Sequence, residues 1–437
     1  MNNIMFLARL LVLFSLVCIS CAHSSFEQKQ LKHALDFATS NRLELEILLQ
    51  HYTYDSLKLE AAKFLIRNMP HCYSYQQGGE MDSVKRVRTY YSPFGQIDQT
   101  YARRWGHYTY RNLPKIYDAH IITAEYLIDN IDRAFDNWQK RPWNRSLSFE
   151  DFCEYLLPYR IGDEPLEEWR ELYEKKYGYL LDSIYKGSDV VEAANLVSRH
   201  LQEPVFIYCE DFELPHIGPR YLFSHRYGSC VDAADIVTYA FRAVGIPCME
   251  DTDARGGHVW NVVRDTTGRD VPIWYIASEA VRGSRDTGGY KRGKVYRPMY
   301  GFQEEKAAHL GDDWKSMPLL FYHPYMKDVS YAYYPDTLRI LTGIPDDEVC
   351  YLAHFHEAHW WSCACARSAS GKMEIPNLES ELVYLPIKYT KGNYYPSGFP
   401  FWFAGGEINT FLPDWEKTVK VRLYRKYPVY GWLRSFM

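Results

Sequence analysis

The sequence predicts an α+β protein with helices in its first half and strands in its last third. Apolar side chains recur at helical spacing in several segments before residue 202, whereas apolar and polar residues alternate after about residue 297. Between these regions, an apolar helical segment precedes a strand–turn–strand pattern. We therefore expect a helical amino-terminal region, a mixed central core and one or two antiparallel β-sandwich modules.

The individual elements follow from periodicity and turn signals. The stretch from Pro70 to Arg111 contains Gln-Gly-Gly and Pro-Phe-Gly turns, so we expect it to be rich in loops. Helices are predicted over residues 27–38, 42–51, 56–67, 119–138, 149–156, 165–176 and 190–201, and strands near the carboxyl end over 328–334, 337–341, 348–355, 382–386 and 419–424.

One central helix has a clear start and stop. It is predicted from Ser229 to Val244, because Gly228 and Ser229 supply a turn and an N-cap and Gly245 precedes an apolar Ile-Pro pair. Its apolar residues form no single stripe, so we expect burial on several sides. Cys230 would face unpaired backbone N–H groups and the positive end of the helix dipole, which favour a thiolate and supply oxyanion donors.

A histidine begins the next predicted strand. His258 opens the run Gly-Gly-His-Val-Trp-Asn-Val-Val, and an imidazole opposite Cys230 would complete a nucleophile and its base. The sequence Asp265-Thr-Thr-Gly268 predicts a hairpin turn, and the returning strand is expected from Val271 to Ile276.

Three segments of the chain, taken in order, resemble the core of the transglutaminase-like superfamily, a branch of the papain-like cysteine enzymes. They are Tyr-Gly-Ser-Cys ending at Cys230, Arg-Ala-Val-Gly-Ile-Pro ending at Pro247, and His-Val-Trp-Asn beginning at His258. The resemblance covers about Tyr227 to Glu279. It implies a papain/transglutaminase-like core in which Cys230 is the nucleophile and His258 activates it.

Shorter segments carry a looser resemblance to multi-domain transglutaminase-like lipoproteins of Bacteroidetes-type bacteria. These segments are Asn68-Met-Pro, Leu157-Pro-Tyr-Arg-Ile-Gly and Glu164-Pro-Leu-Glu-Glu-Trp169. With this resemblance we divide the chain into a signal peptide (1–20), a helical and loop region (21–115), a transglutaminase-like core (116–296) and a β-sandwich region (297–437).

In that superfamily an acidic residue on the following strand orients the histidine. Asp270 is the nearest acid in sequence, but it would lie about six residues along the ladder from His258, roughly 20 Å at ~3.3 Å per residue. Folding the hairpin about its Thr-Thr pair instead puts residues 275–279 opposite His258. We therefore predict Glu279 as the third catalytic residue, with Ser278 or a site without a carboxylate as open alternatives.

The resemblance implies acyl transfer. The Cys230 thiolate would attack an amide or peptide carbonyl with His258 as base, and backbone N–H groups would hold the oxyanion. Attack on the resulting thioester by an amine would make a transglutaminase, and attack by water would make a protease or amidase. The sequence leaves both open; it predicts a protein or peptide substrate and no cofactor.

The amino terminus predicts export. Arg9 precedes a short apolar segment that is too short and wrongly placed for an ordinary spanning helix. Its Ile-Ser-Cys end resembles a bacterial lipobox, which implies lipidation of Cys21, although Cys18 stands where Leu is usual. A simple secretory signal is the alternative. We expect an exported protein, anchored through Cys21 at the periplasmic face or the cell surface.

Composition points to a second function. The net charge is −5 and there is no basic stripe, P-loop or dinucleotide motif, so nucleic acid is not an expected partner. Aromatic residues make up 16% of the chain, including 38 Tyr and 12 Trp. Such side chains stack on sugars or pack across strands. The alternative is a catalytically inactive binding lipoprotein whose aromatic β-region recognises a glycan or a protein.

A metal site is the rival hypothesis near the carboxyl end. His354 and His356 would share a strand face, and with His359 or a thiolate from the Cys-Ala-Cys run they could hold zinc. The spacing, which includes Glu357, matches neither His-Glu-x-x-His nor paired Cys-x-x-Cys motifs. We predict two strands joined by a tight turn and no metal.

Overall fold

The computed structural model describes residues 25–91, 110–203, 205–208, 214–254, 257–274, 278–284, 291–303, 317–341, 348–356, 359–414 and 416–417. Within these ranges the protein is mixed α+β, with antiparallel sheets in its carboxyl-terminal region, as predicted. None of the helices in these ranges has the length and apolar character needed to cross a membrane. The predicted leader, Cys21 and the predicted strand 419–424 lie outside the described residues.

Nine α-helices precede the central core within the described ranges. Their bounds are α1 (25–37), α2 (Arg42–His51), α3 (Ser56–Asn68), α4 (Gly79–Tyr91), α5 (Ala124–Lys140), α6 (Phe149–Tyr155), α7 (Arg170–Tyr179), α8 (Val190–Leu201) and α9 (Pro219–Ser224). Helices α2 and α8 have the predicted bounds. The predicted start of α5 is wrong by five residues, because Thr123 accepts the Tyr126 N–H and caps the helix there.

Helix α4 corrects the expectation that residues 70–111 are rich in loops. Glu80 and Asp82 lie in its first turn, where carboxylates favour a helix, and Met81 and Val84 are buried. Strand β1 (Tyr73–Tyr75) precedes α4 and pairs antiparallel with β2 (Lys115–Tyr117), which follows it. Residues 92–109 lie outside the described part of the chain.

The central core is a five-stranded antiparallel sheet covered by one buried helix, α10 (Cys230–Ala243). Two short strands, β3 (Ile207–Tyr208) and β4 (Tyr227–Gly228), pair in parallel just before it. The sheet has the order β7-β6-β5-β8-β9 and consists of β5 (Cys248–Asp253), β6 (Val259–Arg264), β7 (Asp270–Ile273), β8 (Val295–Pro298) and β9 (Met326–Asp328).

Helix α10 is buried on nearly all sides, as predicted from its lack of a single apolar stripe. Apolar side chains of α7, α8 and β6 surround it, including Tyr173, Val197 and Val263. It ends at Ala243, one residue before the predicted end, and Gly245 just beyond adopts a positive φ of 82° that favours glycine.

The carboxyl-terminal region contains two antiparallel sheets that share a core. One pairs β10 (Leu338–Leu341) with β13 (Lys372–Ile375). The other has the order β12-β11-β14-β16-β17, with β15 also on β14. Its strands are β11 (Val349–His356), β12 (His359–Arg367), β14 (Leu382–Thr390), β15 (Asn393–Pro396), β16 (Phe401–Ala404) and β17 (Glu407–Thr410). Leu352, Tyr384 and Phe403 of the larger sheet pack with Leu338 and Ile375 of the smaller one.

The predicted strand over residues 328–334 is wrong. Strand β9 ends at Asp328, and Ser330–Ala332 form a 3-10 turn. The Asp328 carboxylate accepts the Ser330 N–H at 2.9 Å, and such a local side-chain bond favours a turn over an extended strand. Helix α11 (Leu319–Tyr322) precedes this strand.

Candidate active site around Cys230

Cys230 is the first residue of α10 and directly follows strand β4. Ser229 before it is extended, with a φ of −90°, as is usual for the residue that precedes a helix. The backbone N–H groups of the first helical turn have no partners within the helix, so they are suited to hold an anion. Cys230 is 4% exposed, so little of it meets solvent.

A buried ion pair holds the start of this helix. One oxygen of Asp232, Oδ2, accepts the Ser229 N–H at 2.8 Å and the Ser229 hydroxyl at 3.0 Å. The same oxygen accepts a hydrogen bond from Arg88 Nη2 of α4 at 2.7 Å. Both charged side chains are less than a tenth exposed. The chain before Cys230 is thus fixed by an arginine from the amino-terminal region.

Gly228 is required by the same arrangement. A Cβ atom there would lie 2.3 Å from Asp232 Oδ2 and 2.4 Å from Arg88 Nη2, which is closer than atoms can approach. Only glycine therefore fits beside the ion pair. Gly228, which the sequence predicted as a turn residue, therefore also leaves room for the ion pair to pack.

His258 lies just before β6, at the end of the strand nearest the start of α10. Asn261, three residues later, donates hydrogen bonds to the Ala234 carbonyl oxygen at 3.0 Å and to Thr238 Oγ1 at 2.9 Å. Ala234 lies one helical turn after Cys230, so strand and helix begin at the same end of the core. The structure brings the two predicted segments together.

The described ring contacts of the His258 imidazole are with two tryptophans. Its centroid lies 4.5 Å from the ring of Trp274 and 5.8 Å from the ring of Trp260. Side chains alternate along a strand, so Trp260 and Asn261 point to opposite faces, and α10 covers the face of Asn261. Trp260 therefore lies on the face of the sheet away from α10.

The predicted third residue lies at the surface. The Glu279 carboxylate pairs with Arg199 of α8 at 2.8 Å, and both side chains are more than half exposed. This contact does not support Glu279 as the acid that orients His258. The fallback Ser278 accepts the Trp274 backbone N–H through its hydroxyl at 2.7 Å. Residues 275–277, opposite His258 in the hairpin register, lie outside the described residues.

Asp270 is placed as the sequence predicts. It lies opposite Arg264 in the β6–β7 register, six residues along the ladder from His258. Its carboxylate accepts a hydrogen bond from Arg297 Nη1 at 2.8 Å. Asp270 therefore belongs to a buried ion-pair network and not to the histidine.

The sequence analysis missed a second polar cluster on α10. His216 Nδ1 lies 2.9 Å from the carboxylate of Asp235, which is fully buried. Burial lowers the pKa of His216, but the adjacent Asp235 charge outweighs it and holds this pKa well above the ordinary histidine value. One helical turn later, Thr238 donates a hydrogen bond to Glu250 at 2.6 Å.

A cavity of about 180 Å³ opens beside this cluster, lined by His71, Arg160, His216, Arg242, Glu250 and His323 among others. Gly162 lies against His216, and a Cβ there would be 2.4 Å from the imidazole. Arg160 and Gly162 belong to the Leu-Pro-Tyr-Arg-Ile-Gly segment noted in the sequence. That segment was the sequence signal for this cavity, whereas no motif in the sequence near His216 indicated its role.

The rival histidine cluster forms the predicted pair of strands. His354 and His356 lie on β11, and His359 faces His356 across the pair. Glu357 lies outside the described residues. Over the described ranges, no group of three or more His, Cys, Asp or Glu side chains could hold a metal ion.

Neither a protein-family model, nor a curated protein, nor a solved structure matches this chain. The transglutaminase-like resemblance therefore depends on the motif residues alone. The papain-like core that it implies stays a prediction.

Proposed function

We propose that this protein is an exported cysteine enzyme that forms a thioester between Cys230 and the carbonyl of an amide or peptide. The observation that carries the proposal is the position of Cys230 as the first residue of the 14-residue helix α10. That position exposes the sulfur to the helix dipole and to backbone donors, which favour both a thiolate and a developing oxyanion.

The buried Arg88–Asp232 pair supports this role. It fixes the backbone at Ser229, so the donors at the start of the helix are held in place before a substrate arrives. Preorganised donors of this kind stabilise a transition state without reorganisation.

In the proposed reaction His258 takes the thiol proton and the sulfur attacks the carbonyl carbon. The carbon–nitrogen bond then breaks, and the amine leaves with that proton. Water or a second amine attacks the thioester and frees the sulfur. The ring of Trp274, 4.5 Å from the imidazole, packs beside this base. The third residue is left without an assignment, since Glu279 pairs with Arg199.

Site-resolved alkylation tests the nucleophile. An iodoacetamide probe, followed by mass spectrometry of the peptides, should label Cys230 faster than the partly exposed Cys365, and His258→Ala should slow the labelling of Cys230. Cys248→Ala, which changes a buried thiol behind the same helix, is the matched control and should leave the rate unchanged. Equal labelling of Cys230 and Cys365, with no effect of His258→Ala, would contradict the proposal.

Substrate turnover separates the two fates of the thioester. Incorporation of a fluorescent primary amine into casein measures transfer, and release of ammonia from glutamine peptides without any added amine measures hydrolysis. Either signal should vanish in Cys230→Ser. Turnover that persists in this variant would assign the chemistry to another residue.

A second candidate is a binding protein without turnover, which the exposed aromatic side chains of the carboxyl-terminal sheet favour. Trp360, Trp402 and Phe355 are each more than a third exposed. Binding to a glycan or protein that is unchanged in Cys230→Ala, together with no turnover in any assay, would favour this candidate.

A further inference from the structure

We propose that the outward face of the larger carboxyl-terminal sheet binds a neutral carbohydrate chain. The site is a line of side chains across five strands, which we call the aromatic row: Trp360, Phe355, Val383, Trp402 and Asn409. This inference goes beyond the acyl-transfer reaction and holds whether or not Cys230 turns over a substrate.

The strand register places these residues side by side. Phe355 is opposite Trp360, Val383 is opposite Trp402, and Trp402 is opposite Asn409. The β11–β14 register pairs His354 with Tyr384, so its next step puts Phe355 beside Val383. With strands about 4.8 Å apart, the row is roughly 19 Å long, and Phe355 and Trp402 are about 10 Å apart.

The row lies on one face because side chains alternate along each strand. On β16, Phe401 and Phe403 are fully buried in the core between the two sheets, whereas Trp402 between them is 38% exposed. On β11, His354 is fully buried and Phe355 is 41% exposed. Further along the same face of β11 and β14, Ala353 and Leu385 are buried against Phe321 and Met326. The row is therefore the exposed part of this face.

The two indoles of the row are available to a ligand. Phe355 and Trp360 contact each other with ring centroids 5.1 Å apart, which leaves a broad aromatic surface. Over the described part of the chain, neither the Trp360 nor the Trp402 indole N–H donates to another protein group, whereas that of Trp361 donates to the His356 carbonyl at 3.1 Å. Each N–H can therefore donate to a bound molecule.

The surrounding polar groups favour a sugar over other occupants. The amide of Asn409 ends the row, and the exposed carboxylate of Glu407 lies two residues before it on β17, on the same face. A pyranose ring has an apolar C–H face that stacks on an aromatic ring and hydroxyls at its edge that donate to carboxylates and amides. The Glu407 carboxylate disfavours nucleic acids and other anionic chains.

Affinity electrophoresis tests the site with defined probes. Native gels containing hydroxyethylcellulose, xylan, glucomannan, laminarin or soluble starch are compared with gels that contain none. We expect at least one of them to retard the protein. Trp402→Ala and Trp360→Ala should weaken that binding by about tenfold or more, because truncating a central aromatic contact removes much of the binding free energy.

The controls separate this site from the proposed enzyme. Trp402→Phe keeps an aromatic face and should retain part of the affinity, and Tyr54→Ala, at a fully exposed tyrosine far along the chain, should bind like the original protein. Cys230→Ser should also bind normally, so loss of turnover and loss of binding are distinguishable.

Three results would overturn the proposal. They are no retardation by any of the five polysaccharides, equal retardation of the tryptophan variants, or a dimer in sedimentation that Trp402→Ala dissociates. The last result would assign the row to contact between two copies of the chain.

Discussion

The central core and the carboxyl-terminal sheets are both antiparallel, but they bury different kinds of side chain. On the face of the core sheet that carries Trp260, Arg297 forms bonds of 2.6 and 3.0 Å with Asp251 and one of 2.8 Å with Asp270. The larger carboxyl-terminal sheet instead packs its inner face with apolar groups such as Leu352 and Phe403.

Directional hydrogen bonds and ion pairs hold the side chains of the core sheet in place, whereas close packing holds those inside the carboxyl-terminal sheets. Tyr333 donates to Asp251 at 2.7 Å and accepts the Trp260 indole N–H at 2.9 Å, so the ion-pair network fixes the tryptophan on which His258 packs. The larger sheet needs no such network on its outward face, which leaves its aromatic rings exposed. The core holds its polar side chains in fixed positions, whereas the outward face of the larger sheet presents side chains that a ligand can contact.

The largest expected effect comes from breaking the network. Arg297→Ala would leave Asp251 and Asp270 buried without their cation, and removing one partner of a buried pair costs about 3–5 kcal/mol. Urea unfolding followed by circular dichroism measures this loss. The matched change in the other region, Arg339→Ala, breaks an exposed pair with Glu374 and should cost less than about 1 kcal/mol. Similar losses for both variants would contradict the contrast.

A smaller loss is expected at the start of α10. Arg88→Gln removes the charge that pairs with buried Asp232 and should lower the free energy of unfolding by about 2–3 kcal/mol. If the proposed thiolate depends on this cation, alkylation of Cys230 should also require a higher pH. The exposed Arg86 lies on the same helix, so Arg86→Gln is the control. An unchanged pH profile would limit Arg88 to a structural role.

Local signals explain what the sequence could predict. Helix α10 lies within one residue of its predicted bounds, because Gly228 and Gly245 sit where only glycine is easily accommodated. The hairpin turn is likewise set by Gly268, whose φ is 76°. These constraints act within a few residues, so they are visible without the fold.

Long-range pairing explains what the sequence could not predict. Arg88 and Asp232 are 144 residues apart, and no periodicity relates them. The contact of Glu279 with Arg199 on α8 likewise joins residues 80 apart, and the hairpin register could not show it. The pairing of His216 with Asp235 depends in the same way on where an irregular segment crosses the helix.

The buried carboxyl of Glu250 allows a pH-dependent test of the contrast between the core and the carboxyl-terminal sheets. Burial raises the pKa of Glu250, and the nearby Asp235 carboxylate adds to this effect. A group with a raised folded-state pKa stabilises the fold fully below its ordinary value near 4.5 and loses that contribution as pH rises. Glu250→Gln should therefore gain stability relative to the original protein between about pH 5 and about pH 8.

Urea unfolding at several pH values measures that difference. The change Glu374→Gln provides the control, because Glu374 lies exposed in the carboxyl-terminal region. A stability difference between Glu250→Gln and the original protein that does not vary with pH would show that the Glu250 carboxyl keeps an ordinary pKa.

The smallest effect is expected at Trp402, and it tests what the outer sheet face is for. Trp402→Ala should lower the free energy of unfolding by no more than about 1 kcal/mol, because the indole is outside the core and, within the described ranges, takes part only in cross-strand pairs with Val383 and Asn409 in the register. Its neighbour Phe403 is fully buried, so Phe403→Ala should cost about 3–5 kcal/mol in the same unfolding assay. If Trp402→Ala were as destabilising as Phe403→Ala, the exposed indole would be a packing residue. If Trp402→Ala costs little, the exposed indole contributes little to stability, as expected for a residue of a binding surface.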